Sequence, residues 1–481
     1  MADVQYSAGR WKASLATLAL LRKDLAAPEN NDARIDNAEA RTREALTQYA
    51  EMETAALSAV EKARKQGAKM FEAQALFWSC VARQNLDKLE AAKQDCTMAN
   101  DLYATVGDKI EQARTLTNLA HLLTKLRDND AYQKYDEALT LATAVGSARD
   151  QCDALINYGG VFYDENKFGA ALQKYKAALA IGEQSGNLGC QARAIENLGS
   201  VARDRHDFLA ARTNFEHASN LYTNLGMSVD LARLQSNIAD LLWKQGQPAE
   251  ARLRLQDATK GYREASSRDG LGIALVQLGD VLLAQDQIDK ALAAYQEAVQ
   301  IKKELHEDDE ASVTEISTAR ALVEKGEAAA AESSLRRLVA WCGQKKDVNN
   351  EVLARDVLVH SLLAQDQKHK AAVSEARALQ VLLPKANDLE TVLSARITIA
   401  RALVMQQSYP QAFAELRSIA ADARKHSFPM QELSAKLALL EGERLQGSTP
   451  NSFPVHVFVQ TAQSKGYLLL ARKAAALVEK R

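Results

Sequence analysis

The chain has little of what breaks or stiffens a backbone. Only seven of its 481 residues are proline, and none lies between Pro28 and Pro248. The other five (Pro384, Pro410, Pro429, Pro450 and Pro454) come late. So long a proline-free stretch is hard to reconcile with the turns of an all-β fold and natural for helices. Aromatics amount to 6%, so the core must be built largely from Ala and Leu. The five cysteines, Cys80, Cys96, Cys152, Cys190 and Cys342, are odd in number and widely spaced, with no C-x-x-C. That pattern argues against a zinc site or a disulfide framework, and the thiols are expected as small buried apolar groups. Charge is balanced at −2, without the clustered Lys/Arg of a nucleic-acid binder. No apolar run approaches a membrane span, and the N-terminus has no charged-then-apolar leader. A cytoplasmic chain with no nucleic-acid or membrane partner is expected.

Catalytic signatures are equally scarce. No G-x-G-x-x-G, P-loop, H-E-x-x-H, G-x-S-x-G or EF-hand loop occurs, and the eight histidines are scattered. The sequence therefore points to no enzyme, no metal and no cofactor. Arg203-Asp-Arg-His-Asp207, Glu307-Asp-Asp-Glu310 and Gln344-Lys-Lys-Asp347 read as solvated charged loops.

What is present is a repeat. Arg114-Thr-Leu-Thr-Asn-Leu-Ala120, Asp153-Ala-Leu-Ile-Asn-Tyr-Gly159, Arg193-Ala-Ile-Glu-Asn-Leu-Gly199 and Arg233-Leu-Gln-Ser-Asn-Ile-Ala239 align, their small seventh residues 39, 40 and 40 positions apart. Twelve residues past Gly159, Gly199 and Ala239 stands an Ala (Ala171, Ala211, Ala251). Then follow a large apolar residue (Tyr175, Phe215, Leu255) and another Ala (Ala178, Ala218, Ala258). The series runs on through Gly279, Ala291, Tyr295 and Ala298, and upstream to Cys80, Ala92, Cys96 and Ala99. Apolar residues at helical intervals make each half-unit an amphipathic helix. The small positions let two antiparallel helices approach. Gly67, Gly107, Gly146, Gly186 and Gly226 fall where second helices should end, able to adopt the left-handed conformation that closes them. Asn166, Gly246 and Gly326 mark the turns between helices.

This small–Ala–aromatic–Ala pattern resembles the tetratricopeptide repeat (TPR) in its 40-residue form, as in kinesin light chains, the Leu-Gly-Asn repeat adaptors and many bacterial regulators. The resemblance covers roughly residues 68–429, most clearly 108–305. It implies an all-α fold, a right-handed superhelical solenoid of helix-turn-helix repeats. On this basis residues 1–66 form an irregular helical segment, 67–429 the solenoid, and 430–481 a degenerate repeat with a closing amphipathic helix from Tyr467. That tail resembles repeat regions attached to bacterial serine/threonine kinases, whose own catalytic elements have no match here.

A ladder stands out within the repeat. Its fifth position is Asn118, Asn157, Asn197 and Asn237, then Gln277. Four residues earlier come Arg114, Arg193 and Arg233, with Asp153 breaking the series. A spacing of four places both side chains on one helix face. Asn offers a donor and an acceptor to a peptide backbone, and Arg a fork for a carboxylate. The resemblance places this face in the concave groove, where the family's asparagines contact bound peptide. It implies a protein- or peptide-binding adaptor holding an extended, acidic segment, or alternatively a regulatory sensor module of a bacterial signalling system. The asparagines equally suit a structural role bridging neighbouring helices. A second candidate surface comprises His121, Tyr163, Arg203, Asp240 and Trp243, as groove anchors or as packing at unit junctions.

Overall fold

A computed structural model describes residues 1–7, 9–25, 31–447 and 452–479. The expected loops around Pro28 and Pro450 fall largely outside them. Among the described residues every regular element is helical, and the chain divides into two compact units, residues 1–227 and 228–481.

The first unit contains α1 (Ala2–Ser7), α2 (Trp11–Asp24), α3 (Ala33–Ala45), α4 (Tyr49–Lys65), α5 (Lys69–Asn85), α6 (Leu89–Val106), α7 (Lys109–Lys125), α8 (Ala131–Ala144), α9 (Ala148–Asp164), α10 (Phe168–Ser185), α11 (Leu188–Asp204) and α12 (Phe208–Leu225). The second contains α13 (Ser228–Lys244), α14 (Pro248–Glu264), α15 (Arg268–Ala284), α16 (Ile288–Glu304), α17 (Asp308–Lys325), α18 (Ala328–Lys345), α19 (Val348–Leu363), α20 (His369–Leu382), α21 (Leu389–Met405), α22 (Tyr409–Lys425), α23 (Pro429–Leu445), α24 (Ser452–Ser464) and α25 (Leu468–Glu479). Within each unit most helices pack chiefly on their neighbours in sequence, as a repeat array requires. Residues 308–310 are not a loop. They form the first turn of α17, where three carboxylates face the positive end of the helix dipole.

The repeat spacing has a direct packing cause. Tyr175, Phe215, Leu255 and Tyr295 are each at most 2% exposed. Their side chains lie against the small residue of the preceding first helix. A methyl group added to Gly159 would stand 2.5 Å from a ring carbon of Tyr175, and one on Gly199 would stand 2.7 Å from Phe215. The small residue on one helix therefore makes room for the large one on the other. Where second helices end, Gly107, Gly186 and Gly226 adopt φ of 77°, 68° and 66°, and Asn166 takes φ 58° in the inter-helix turn.

The cysteines overturn one expectation. Cys80 is disulfide-bonded to Cys96 and Cys152 to Cys190, with Cα separations of 5.3 and 6.1 Å. Cys80 holds the small-residue position of α5 and Cys96 the large-residue position of α6, so the contact made elsewhere by Gly and Tyr is here a covalent bond. Cys152 and Cys190 join α9 to α11, the first helices of adjacent repeats. Separations of 16 and 38 residues gave no motif, because the helix pairing rather than the local spacing brings the sulfurs together. Cys342 is free and buried, as expected of an apolar thiol, and burial pushes its pKa up to about 12.

Candidate peptide-binding groove and an ionisable ladder

Within the first unit, successive first helices line a groove of about 870 Å³. Helix α5 supplies an apolar wall of Met70, Phe71, Phe77 and Trp78. Helix α7 supplies Glu111, Arg114 and Asn118, α3 supplies Arg41, and α9 supplies Arg149. These positions share one face because they recur at helical spacing along each first helix. Phe77 and Trp78 meet edge-on with centroids 5.1 Å apart, and the buried Trp78 Nε1 has no hydrogen-bond partner. Two groove-lining carboxyls, Glu44 and Glu111, have raised pKa values, first through burial; beside Glu111, Arg114 works in the opposite direction.

The predicted ladder follows α7, α9 and α11 of the first unit and α13 and α15 of the second, and divides in behaviour. Asn118 lines the groove, and Asn157 is exposed. Asn197 donates to the backbone carbonyl of Arg193 at 2.8 Å, a bond within its own helix. The arginines are engaged by carboxylates. Arg114 donates through Nε to Asp150 of the next repeat at 2.8 Å and also pairs with Glu111. Arg193 pairs with Asp153, the residue that breaks the arginine series. In the second unit Arg233 pairs with Asp230 at 2.9 Å, and Gln277 is half-buried with its side-chain oxygen unpartnered. The sequence reading missed the aromatic wall of α5. Its signal, Phe71, Phe77 and Trp78 on one first helix, was legible but lay in a unit where the repeat pattern is weak.

Three residues of the second candidate surface, Tyr163, Arg203 and Trp243, are engaged in packing and internal bonding. Tyr163 donates its hydroxyl to Asp204 and accepts from Arg203 at 2.9 Å. Arg203 itself is 8% exposed. Trp243 packs edge-on against Tyr467, centroids 6.0 Å apart.

The second unit carries a further ladder that the sequence reading passed over. Asp240, Asp280, Arg320, His360, Arg401 and Glu441 recur at 40, 40, 40, 41 and 40 residues, and the period alone was enough to find them. Tyr295 donates to Asp280 at 2.7 Å. Arg401 binds Glu441 at 3.1 Å and approaches His360 Nε2 at 3.2 Å, where Thr398 also sits at 2.8 Å. Burial, then the nearby cations Arg401, Lys473 and Arg320, hold His360 well below the ordinary imidazole pKa. Burial raises the pKa of Asp280, Asp356 and Glu390, with repulsion from Asp388, Asp240 and Asp280 adding to the effect at Glu390.

With this geometry in view, the comparisons agree on the class. The tetratricopeptide-repeat family model matches residues 190–264. Residues 190–264 thus carry tetratricopeptide repeats, and helix pairs of the same build flank the matched segment on both sides. No curated protein sequence matches it. Among solved structures it is similar to a signal transduction ATPase with numerous domains and a tetratricopeptide-repeat sensor from Pyrococcus horikoshii. Identity is 13%, with 73% of this chain and 53% of that one covered and a TM-score of 0.50. It is also similar to a Rap protein complexed with Competence and Sporulation Factor, at 15% identity over 76% of this chain and 99% of that one, TM-score 0.50. At such identities the likeness is one of fold.

Proposed function

We propose that the chain is a protein- or peptide-binding scaffold whose first-unit groove holds an extended segment. One observation carries this reading: Asn118 and Arg114 stand on the wall of the same groove as Met70, Phe71, Phe77 and Trp78. A peptide backbone meets amide groups on one side while its apolar side chains find an aromatic wall, the usual anchor of a recognition surface. Asn157 and Asn197 extend the amide series within the first unit, and the second unit has amides of its own at Asn237 and Gln277. Arg114 and Arg193 then take acidic side chains of the segment by exchange with their present carboxylate partners. Each asparagine contributes a net ~1 kcal/mol. Against the cost of ordering a peptide, this gives an affinity on the order of micromolar. Pull-down with the wild type and with an Asn157→Ala/Asn197→Ala chain tests it. Partner capture should drop while helix content and melting stay near wild type. If capture per folded molecule is unchanged, the asparagines are structural.

A second reading, a regulatory sensor, is supported by the fold shared with a signal transduction ATPase that has a tetratricopeptide-repeat sensor and with a Rap protein complexed with Competence and Sporulation Factor. A catalytic or DNA-binding domain encoded in the same chain or beside it would select this reading over a free-standing adaptor.

A further inference from the structure

The α3–α5 end of the first-unit groove differs from the rest in charge. Gln74 and Trp78 of α5 stand 40 residues before Arg114 and Asn118 of α7. At the two ladder positions this repeat therefore carries an amide in place of a cation and an indole in place of an amide. The arginines that do line the groove already have carboxylates. Arg41 pairs with Asp3 and lies 4.3 Å from the Tyr6 ring centroid. Arg114 pairs with Glu111 and Asp150, and Arg149 reaches Asp153 at 3.9 Å. Of the carboxylates on the wall, Asp108 caps α7 by accepting from the Glu111 amide at 3.0 Å, and Glu111 holds Arg114. Glu44 is the exception. It is half-buried on the groove wall, and among the described residues its carboxyl makes no hydrogen bond and no ion pair. Burial raises its pKa, with no cation offsetting the effect. Trp78 Nε1 is a second unmet group, a buried donor without an acceptor. The two stand together. Asn37 of α3 donates to the Phe71 carbonyl of α5 at 3.0 Å, and seven residues, about two turns, further along each helix come Glu44 and Trp78.

The geometry points to a subsite between α3 and α5 for a lysine or arginine side chain of the held segment, with Glu44 taking the cation, the Phe77–Trp78 wall its alkyl stem, and Trp78 Nε1 a neighbouring backbone carbonyl. This inference rests on the reading of the groove as peptide-binding and adds to it the residue that the α5 end selects. The charges decide the class. A carboxylate entering the groove must first displace Asp3, Asp150, Asp153 or Glu111 from an arginine. A cation reaches Glu44 without breaking any pair. A half-buried carboxyl also gains more from a cation than an exposed one, since water and salt screen the pair less. Aromatic faces add to the attraction for an ammonium or guanidinium, and long basic side chains lay their apolar stems along such a wall. Arg34 already stands 5.9 Å from the Phe71 ring centroid.

The test uses the full chain, fluorescently labelled, and bead-bound octapeptide pools. Each pool fixes one Phe and, beside it, Lys, Arg, Gln or Glu, with the other positions randomised. Wild type should be retained on the Lys and Arg pools about fivefold more than on the Gln pool, the ratio a partly exposed ion pair is worth. Glu44→Gln, isosteric and with wild-type helix content, should lose that preference while keeping its retention on the Gln pool. Glu44→Lys should move the preference to the Glu pool. Retention without a Lys or Arg preference, or a preference that survives Glu44→Gln, overturns the subsite and leaves the groove reading standing. Retention on no pool overturns both.

Discussion

Arg193 ion-pairs with Asp153, the residue occupying its own position one repeat earlier. The interruption in the arginine series is thus what neutralises the next arginine. Asp153→Asn should release Arg193 without removing a packing atom. Binding of an acidic peptide to the first unit is expected to tighten a few-fold and to weaken more steeply with salt, because the freed guanidinium acts through partly exposed charge. Titration at two salt concentrations checks both effects. Unchanged affinity would remove Arg193 from the binding surface.

Adjacent glycines in α9 should respond in opposite directions. Gly159→Ala places a methyl group 2.5 Å from the Tyr175 ring, whereas nothing lies within 4 Å of one added at Gly160. Overpacking costs about 1–3 kcal/mol. Relief of helical glycine entropy gains roughly 0.5–1 kcal/mol. Urea midpoints should fall for the first variant and rise for the second.

Reduction should loosen the first unit selectively. Each of its two disulfides closes a loop, and such bonds typically contribute about 2–4 kcal/mol. Dithiothreitol is expected to lower the melting of the first unit while leaving the second, which has no disulfide among its described residues, in place. Thiol counting by mass spectrometry should find one free cysteine, Cys342, in the oxidised chain. Five free thiols in chain purified under oxidising conditions would refute the pairing. Such bonds persist in oxidising compartments, which sets them against the cytoplasmic location expected from the sequence.

The polar interior of the second unit should make stability depend on pH in two opposing ways. Burial of Glu390, together with repulsion from Asp388, Asp240 and Asp280, keeps its proton on to a higher pH in the folded chain than in the unfolded one. Its contribution is therefore full below the unfolded value, about 4.3, and is lost as pH rises through the folded value. Glu390→Gln should raise melting at pH 7 and leave it unchanged at pH 4, since the amide still accepts the bond from Gln431. His360 acts in reverse. Its folded pKa is depressed, so its contribution is present above about 6.5 and lost as pH falls. Calorimetry across that range measures both slopes.

The positions that set the architecture were legible because they are local. Gly159 and Tyr175 must fit one another within a single helix pair, so their spacing is written along the chain. The same holds for the glycines closing second helices, where only a residue tolerant of positive φ ends the turn cleanly. Asn118 and Arg114 were found for the same reason, being four apart on one helix. The partners of these residues were not legible. Asp150 beside Arg114 and Cys152 beside Cys190 belong to neighbouring helices, whose offset no single-helix period encodes.

The sequence by itself determined the helix pair, its 40-residue period and its turns, since these depend on contacts within one repeat. Tertiary structure alone decided which charges are already neutralised, which cysteines bond, and that Arg472 rests against Asp286. Those outcomes depend on how whole helices stack, and that stacking brings together residues as far as 186 positions apart.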